Sequence, residues 1–196
     1  NYFKNFLISK IKSADGKQFS SLEIIEEIPN GLINLKNIQL TFLNCYFDTS
    51  ETSSHFSKLV NDKEKLFSRY NFFLVNYLLH KDNIVEASKI IEKSKKEFQS
   101  NILIRQSDDF IVSGEYKKLK NFFNCQNPKH LMAEFFYILA NFYSREENYQ
   151  MSNFYMKISL YLNENFSSNK ALLAENFFYQ GDYDKAKKIY YSIKKI

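Results

Sequence analysis

The sequence predicts an all-α fold built from a repeated pair of helices. Glycine (4) and proline (2) are scarce among the 196 residues, whereas β-sandwiches and barrels need many turn residues. Hydrophobic residues make up 44% and aromatic residues 17% of the chain, which is too much for a disordered protein. The stretch AENFFYQGDYDKAKKIYY, residues 174–191, has a related copy 34 residues earlier. Because one helical hairpin cannot bury its apolar face alone, we expect successive hairpins to pack on one another.

The copy is ANFYSREENYQMSNFYMK, residues 140–157, and it aligns with the later stretch without a gap. The charged positions differ between the two copies, while the small and large apolar positions agree. Within each helix these positions are three, four or seven residues apart, as expected for one buried face. The matching pairs are Leu139 and Leu173, Ala140 and Ala174, Tyr143 and Phe177, Tyr149 and Tyr183, Ser152 and Ala186, and Met156 and Tyr190.

Weaker copies lie upstream. VNYLLHKDNIVEASKIIEKS (75–94) repeats the apolar offsets, and FIVSGEYKKLKNFF (110–123) has a turn at Gly114, with Pro128 breaking the helix before the next copy. FKNFLISKIKSADGKQFSSLEIIEEIP reads as helix, Asp15-Gly16 turn and helix, and GLINLKNIQLTFLNCYF with SETSSHFSKLV forms another pair. About six repeats, each a pair of helices, are therefore predicted, over residues 2–34, 35–67, 68–99, 100–132, 133–166 and 167–196.

This unit resembles the tetratricopeptide repeat. Its first helix carries a large–x–x–Leu–small–x–x–aromatic pattern, and its second an aromatic–x–x–small–x–x–x–aromatic pattern. The residues that carry the resemblance are Phe136, Leu139, Ala140, Tyr143, Tyr149, Ser152 and Met156, and then Lys170, Leu173, Ala174, Phe177, Tyr183, Ala186 and Tyr190. Three residues depart from the family pattern: Lys170 replaces a bulky aromatic, Glu164 stands where a proline is usual, and Ser152 replaces alanine.

The resemblance implies a right-handed α-α superhelix, a solenoid that forms a single domain over residues 1–196. Residues 157–193 and the piece EEIPNGL also loosely resemble long bacterial tetratricopeptide-repeat proteins. The chain begins with Asn1 and ends directly after a predicted helix, with no polar capping helix. We therefore expect a fragment of a longer array, whose uncapped ends could self-associate. Whether such a bacterial protein is cytoplasmic or periplasmic stays open.

In this family the first helices line a concave groove that holds a partner peptide or helix. The resemblance implies that this groove includes Arg69, Phe72, Asn76, Tyr137, Asn141 and Arg145, flanked by His80, Glu134, Ala171, Glu175 and Phe178. An inward asparagine can both donate to and accept from a peptide backbone. Asp108 and Glu175 stand where some members have cations that hold a C-terminal carboxylate, so this mode of binding is not expected. The predicted function is a non-enzymatic protein-binding scaffold.

No pattern indicates catalysis, a cofactor or a metal. His55, His80 and His130 form no ligand motif, and no glycine-rich loop is present. Paired carboxylates are adjacent in sequence, so on a helix they point about 100° apart. Cys45 and Cys125 are far apart and belong to no C-x-x-C motif, and both are predicted to be buried free thiols rather than a disulfide.

Two other functional classes stay open. The chain could be the repeat arm of a larger enzyme, or a basic helical-repeat protein that binds RNA, since its net charge is +5. The lysine clusters fall on second helices, which the resemblance places on the outer, solvated face, so nucleic acid is the less favoured partner. The longest apolar runs, such as FFLVNYLL, are too short to span a membrane.

Overall fold

The computed structural model describes residues 2–61 and 68–193, and within them it contains helices and no strand. The all-α prediction is confirmed. The α-helices of these residues are α1 (Tyr2–Ala14), α2 (Gln18–Glu26), α3 (Ile33–Tyr46), α4 (Thr52–Val60), α5 (Ser68–His80), α6 (Ile84–Glu97), α7 (Ile102–Val112), α8 (Tyr116–Phe122), α9 (Pro128–Arg145), α10 (Tyr149–Leu162), α11 (Lys170–Tyr179) and α12 (Tyr183–Ile193). Short 3₁₀ helices, Asn30–Leu32 and Ser167–Asn169, precede α3 and α11.

The same turn joins the helices in pairs, from α1–α2 to α11–α12. In each turn one residue has a left-handed backbone, with φ between 52° and 80°. Its amide donates to the carbonyl three residues earlier, and the next amide donates to the carbonyl five residues before itself. This is the Schellman motif, which satisfies carbonyls that a helix end leaves unpaired. The left-handed residues lie 32 to 34 positions apart and are Gly16, Asp48, Asp82, Gly114, Glu147 and Gly181.

Small or β-branched side chains allow the two helices of each pair to approach. Seven positions before each left-handed residue, the first helix carries a side chain that is at most 1% exposed: Ser9, Thr41, Val75, Ser107, Ala140 and Ala174. The three hydroxyl groups in this set donate to main-chain carbonyls, so their burial leaves no donor unsatisfied. The repeat therefore extends through every helix pair, including those whose apolar pattern is weak.

The chain divides into two compact units, Asn1–Pro128 and Lys129–Ile196. In the first unit, consecutive helices pack in order, and α5 also contacts α7 and α8. The aromatic cluster of this unit is defined here as five rings, each at most 4% exposed, from α3, α4, α5 and the residue after α8: Phe42, Phe56, Tyr70, Phe73 and Phe123. Within the cluster, ring centroids of Phe42 and Phe73 are 5.0 Å apart, and those of Phe73 and Phe123 are 4.6 Å apart.

The second unit is built from α9 to α12. Its core contains Ala140, Met156 and Leu172, which come from α9, α10 and α11. Next to this core, the ring of Tyr155 stacks on two rings of α9, with centroid distances of 6.0 Å to Phe136 and 5.5 Å to Tyr143. The sequence alignment placed Ala140 and Met156 on buried faces, and both are fully buried.

Cys45 and Cys125 form a disulfide, and their Cα atoms are 5.8 Å apart. The prediction of two free thiols is wrong, although both residues are buried as expected, with exposures of 1% and 9%. The prediction failed because it judged proximity from a sequence separation of 80 residues. The chain after α8 returns to α3, and this long-range contact has no signature in the local sequence pattern.

We expect the left-handed turn residues to respond in opposite directions to two substitutions. Gly181→Ala introduces a side chain where φ is 80°, and should lower the free energy of unfolding by about 1 kcal/mol. Glu147→Gly removes a side chain from the same conformation and should raise it by about 0.5 kcal/mol. Urea denaturation followed by circular dichroism measures both changes. Equal destabilisation by the two variants would contradict this account of the turn.

Candidate binding surface

The predicted groove asparagines occupy the same position in their repeats, six residues before the left-handed turn residue. The equivalent residues in chain order are Lys10, Phe42, Asn76, Asp108, Asn141 and Glu175. The first three are buried, with exposures of 3%, 1% and 2%. Asp108 and Asn141 are partly exposed and Glu175 is exposed. The face that the repeat resemblance assigns to a partner is therefore accessible only in the later repeats.

Arg69, Phe72 and Asn76 are the site residues predicted for the first unit. Phe72 is 0% and Asn76 is 2% exposed, so neither side chain is accessible to a partner in this structure. The guanidinium of Arg69 lies 5.2 Å from the ring centroid of Phe73, which is cation–π distance. The resemblance to the tetratricopeptide repeat predicted that these residues lie on an open face, because that family leaves the inner side of each first helix uncovered.

The chain at and after the end of α8 covers this face. The side-chain amide of Asn76 donates to the carbonyl of Leu119 at 2.9 Å. His80 Nε2 is 3.1 Å from the carbonyl oxygen of Phe123, and because a carbonyl only accepts, the ring donates through Nε2–H. Thus α5 uses two of the residues expected to bind a partner to hold another part of its own chain.

The second unit presents the other predicted residues. Tyr137, Asn141 and Arg145 are four residues apart on α9, and thus lie along one side of that helix. Tyr137 packs partly against the core of the unit, Asn141 is half-buried and Arg145 is exposed. Within the described parts of the chain, neither Asn141 nor Arg145 makes a side-chain hydrogen bond or ion pair. Their polar groups are therefore free to bind a ligand.

Exposed aromatic rings follow one another at the turn end of the second unit. The ring of Tyr149 stacks on that of Tyr179 with 6.1 Å between centroids, Phe178 is 5.8 Å from Tyr179, and Phe178 is 5.3 Å from Tyr183. Phe178, Tyr179 and Tyr183 are more than half exposed. Of these four aromatic residues, the repeat resemblance placed only Phe178 at the predicted groove. Glu175 precedes them on α11, and partial burial raises the pKa of its carboxyl group.

Lys10 is the buried cation at the equivalent position of the first repeat. It is 3% exposed, and among the described residues no acceptor pairs with its ammonium group. Burial lowers the pKa of Lys10 to about 7, because the charged form loses its hydration. The unfolded chain retains a pKa of 10.5, so the unfolded state binds more protons between these two values and stability must rise with pH there.

We expect the free energy of unfolding to increase by about 2 kcal/mol between pH 7 and pH 9. The Lys10→Met variant should lose this increase, since it has no proton to release at that position. Urea denaturation at several pH values gives the measurement. Lys17→Met, which changes an exposed lysine, serves as the control and should keep the wild-type slope. An unchanged slope in Lys10→Met would show that this ammonium group is hydrated.

A cavity of about 280 Å³ lies among α4, α5 and α6. Its walls include two lysines and two glutamates on α6, Lys89, Lys93, Glu86 and Glu97. Lys89 and Glu86 pair with each other at 3.4 Å. Because both signs of charge line the same space, the cavity selects neither an anion nor a cation.

The predicted lysine clusters are partly neutralised by carboxylates. Lys95 pairs with Asp108, Lys120 with Asp82 at 2.9 Å, and Lys185 with Asp182 at 2.5 Å. Each pair takes a cation away from the positive surface that a nucleic-acid backbone needs.

Comparison of the chain with models of known protein families finds no match. Comparison with curated proteins also finds none. Among the described residues, no helix has the length and apolar character needed to cross a bilayer.

Proposed function

We propose that this chain is a non-enzymatic scaffold that binds a protein partner through the α9–α11 side of its second unit. The proposal includes the tetratricopeptide-like character of the repeats and their continuation as a right-handed solenoid. The partner would be an extended peptide or a helix. The surface that would bind it contains Tyr137, Asn141, Arg145, Glu175 and Phe178.

The repeated Schellman turn is the observation that carries this proposal. Six helix pairs of the described residues share one turn geometry at intervals of 32 to 34 residues, and a buried residue with a small or β-branched side chain precedes each turn at a fixed distance. Stacked helical hairpins of this length typically present extended binding surfaces. The unpaired polar groups of Asn141 and Arg145 lie beside partly exposed Tyr137, which supports a peptide ligand with both main-chain and apolar contacts.

A peptide-display selection on the whole chain tests the proposal. We expect the enriched peptides to bind Asn141→Ala/Arg145→Ala about tenfold or more weakly than the wild type, because two direct polar contacts are lost. The matched control is Gln150→Ala/Lys157→Ala, which changes two exposed residues of α10 and should leave affinity unchanged. A selection without enrichment, or equal affinity for both double variants, would refute the assigned surface.

A further inference from the structure

Residues 119–125, called here the return segment, lie against α3 and α5 and are held there by several independent contacts. Asn76 and His80 donate to the carbonyls of Leu119 and Phe123. The Phe123 ring lies 5.6 Å from that of Phe42 and is 2% exposed. The Cys45–Cys125 disulfide then fixes the end of the segment to α3.

These contacts are of the kind by which a helical surface binds a peptide segment through its main-chain carbonyls and one ring. Helix α8 ends at Phe122, and Phe123 has an extended backbone with φ −154° and ψ 139°. The carbonyl of Leu119 lies in the last turn of α8 and accepts a hydrogen bond from the side chain of Asn76. Two side chains thus donate hydrogen bonds to main-chain carbonyls of the segment, and one ring of the segment packs in an aromatic pocket.

We infer that the α3–α5 face of the first unit is a second peptide-binding site, which the return segment fills in cis and the Cys45–Cys125 disulfide keeps closed. Its ligand in trans would be a short segment of another protein in which a helical turn is followed by extended chain, with one aromatic side chain and accessible main-chain carbonyls. This inference deepens the proposed function, because it rests on the chain being a peptide-binding scaffold. It concerns a different unit and different residues from the Asn141 surface.

Reduction is the step that would open this site. A dithiol such as dithiothreitol attacks the disulfide, transfers two electrons and two protons to form the Cys45 and Cys125 thiols, and becomes a cyclic disulfide itself. The return segment is then held only by noncovalent contacts. It still competes at an effective concentration on the order of millimolar, so an external peptide gains access to a fraction of the molecules.

The test uses a fluorescent peptide of residues 117–127 with Cys125→Ser, and follows its anisotropy with the whole chain. We expect no binding to the oxidised wild type and weak binding to the reduced wild type. Binding to Cys45→Ser/Phe123→Ala/Cys125→Ser should be about tenfold tighter or more than to the reduced wild type, since its own segment no longer fills the pocket. The peptide with Phe123→Ala is the control and should not bind.

The absence of binding to this triple variant, with its helical circular dichroism intact, would overturn the inference. So would a reduced wild type that forms dimers by exchanging residues 119–125, because the occupant would then be a second copy. If the triple variant does not fold, hydrogen exchange of the wild type decides. The inference requires reduction to accelerate exchange in residues 119–127 about tenfold or more while α9–α12 stay unchanged, and uniform or absent acceleration overturns it. A negative result in this test would not refute the proposed binding surface around Asn141, because the test does not involve those residues.

Discussion

Reduction of the Cys45–Cys125 disulfide should lower the free energy of unfolding of the first unit by about 4 kcal/mol. The bond joins residues 80 positions apart, and its loss releases the conformational entropy of that long loop in the unfolded state. Urea denaturation with and without a reductant, followed by circular dichroism, measures the difference as a shift of the transition midpoint.

The Cys45→Ser/Cys125→Ser variant provides the control for this experiment. It should unfold at the same urea concentration with and without reductant, close to the midpoint of the reduced wild type. A wild-type midpoint that does not respond to reductant would contradict the prediction and would mean that the two thiols do not bond in solution.

Replacement of Asn176 by alanine should lower the free energy of unfolding of the second unit by about 3 kcal/mol. Asn176 is 0% exposed and joins three helices. Its carbonyl oxygen accepts from Ser144 at 2.6 Å on α9, and its amide donates to Ser152 at 2.7 Å and Asn153 at 2.8 Å on α10. The substitution removes all three hydrogen bonds. The buried hydroxyl of Ser152 still donates to Ala140 but loses the donor to its oxygen, and an unsatisfied buried group costs more than a hydrogen bond contributes.

Asn165→Ala is the matched control, because it makes the same change at an exposed position and should alter stability by less than about 0.5 kcal/mol. Chemical denaturation of both variants compares them directly. If Asn176→Ala were as stable as Asn165→Ala, the network would contribute nothing to the packing of α9, α10 and α11.

The repeat could be predicted from sequence because its determinants are local. Apolar spacing identified the last two helix pairs, and small residues such as Ala140 and Ala174 marked where two helices approach. The same position is filled by Ser9, Thr41 and Ser107 in other repeats, where hydroxyl groups bond to the backbone. A search for apolar residues does not find these positions, which explains the weaker signal upstream.

The features that decide which surfaces are accessible could not be predicted in this way. Asn76 fits the template of a groove, but its buried side chain bonds to Leu119 of α8, 43 residues later in the sequence. The Asn176 network was also missed, because its position corresponds to Phe142 in the preceding repeat and the alignment therefore contains no shared residue type. Contacts between distant elements depend on the whole packing arrangement and leave no periodic trace.

The covalent link between α3 and the end of the first unit also determines how this chain behaves after damage. Helices α4 to α8 lie inside a closed ring of main chain and one sulfur–sulfur bond. A protease that cuts once anywhere within that ring produces two pieces that remain attached. Such nicked molecules would migrate as intact protein on a non-reducing gel and would separate into fragments only after thiol treatment.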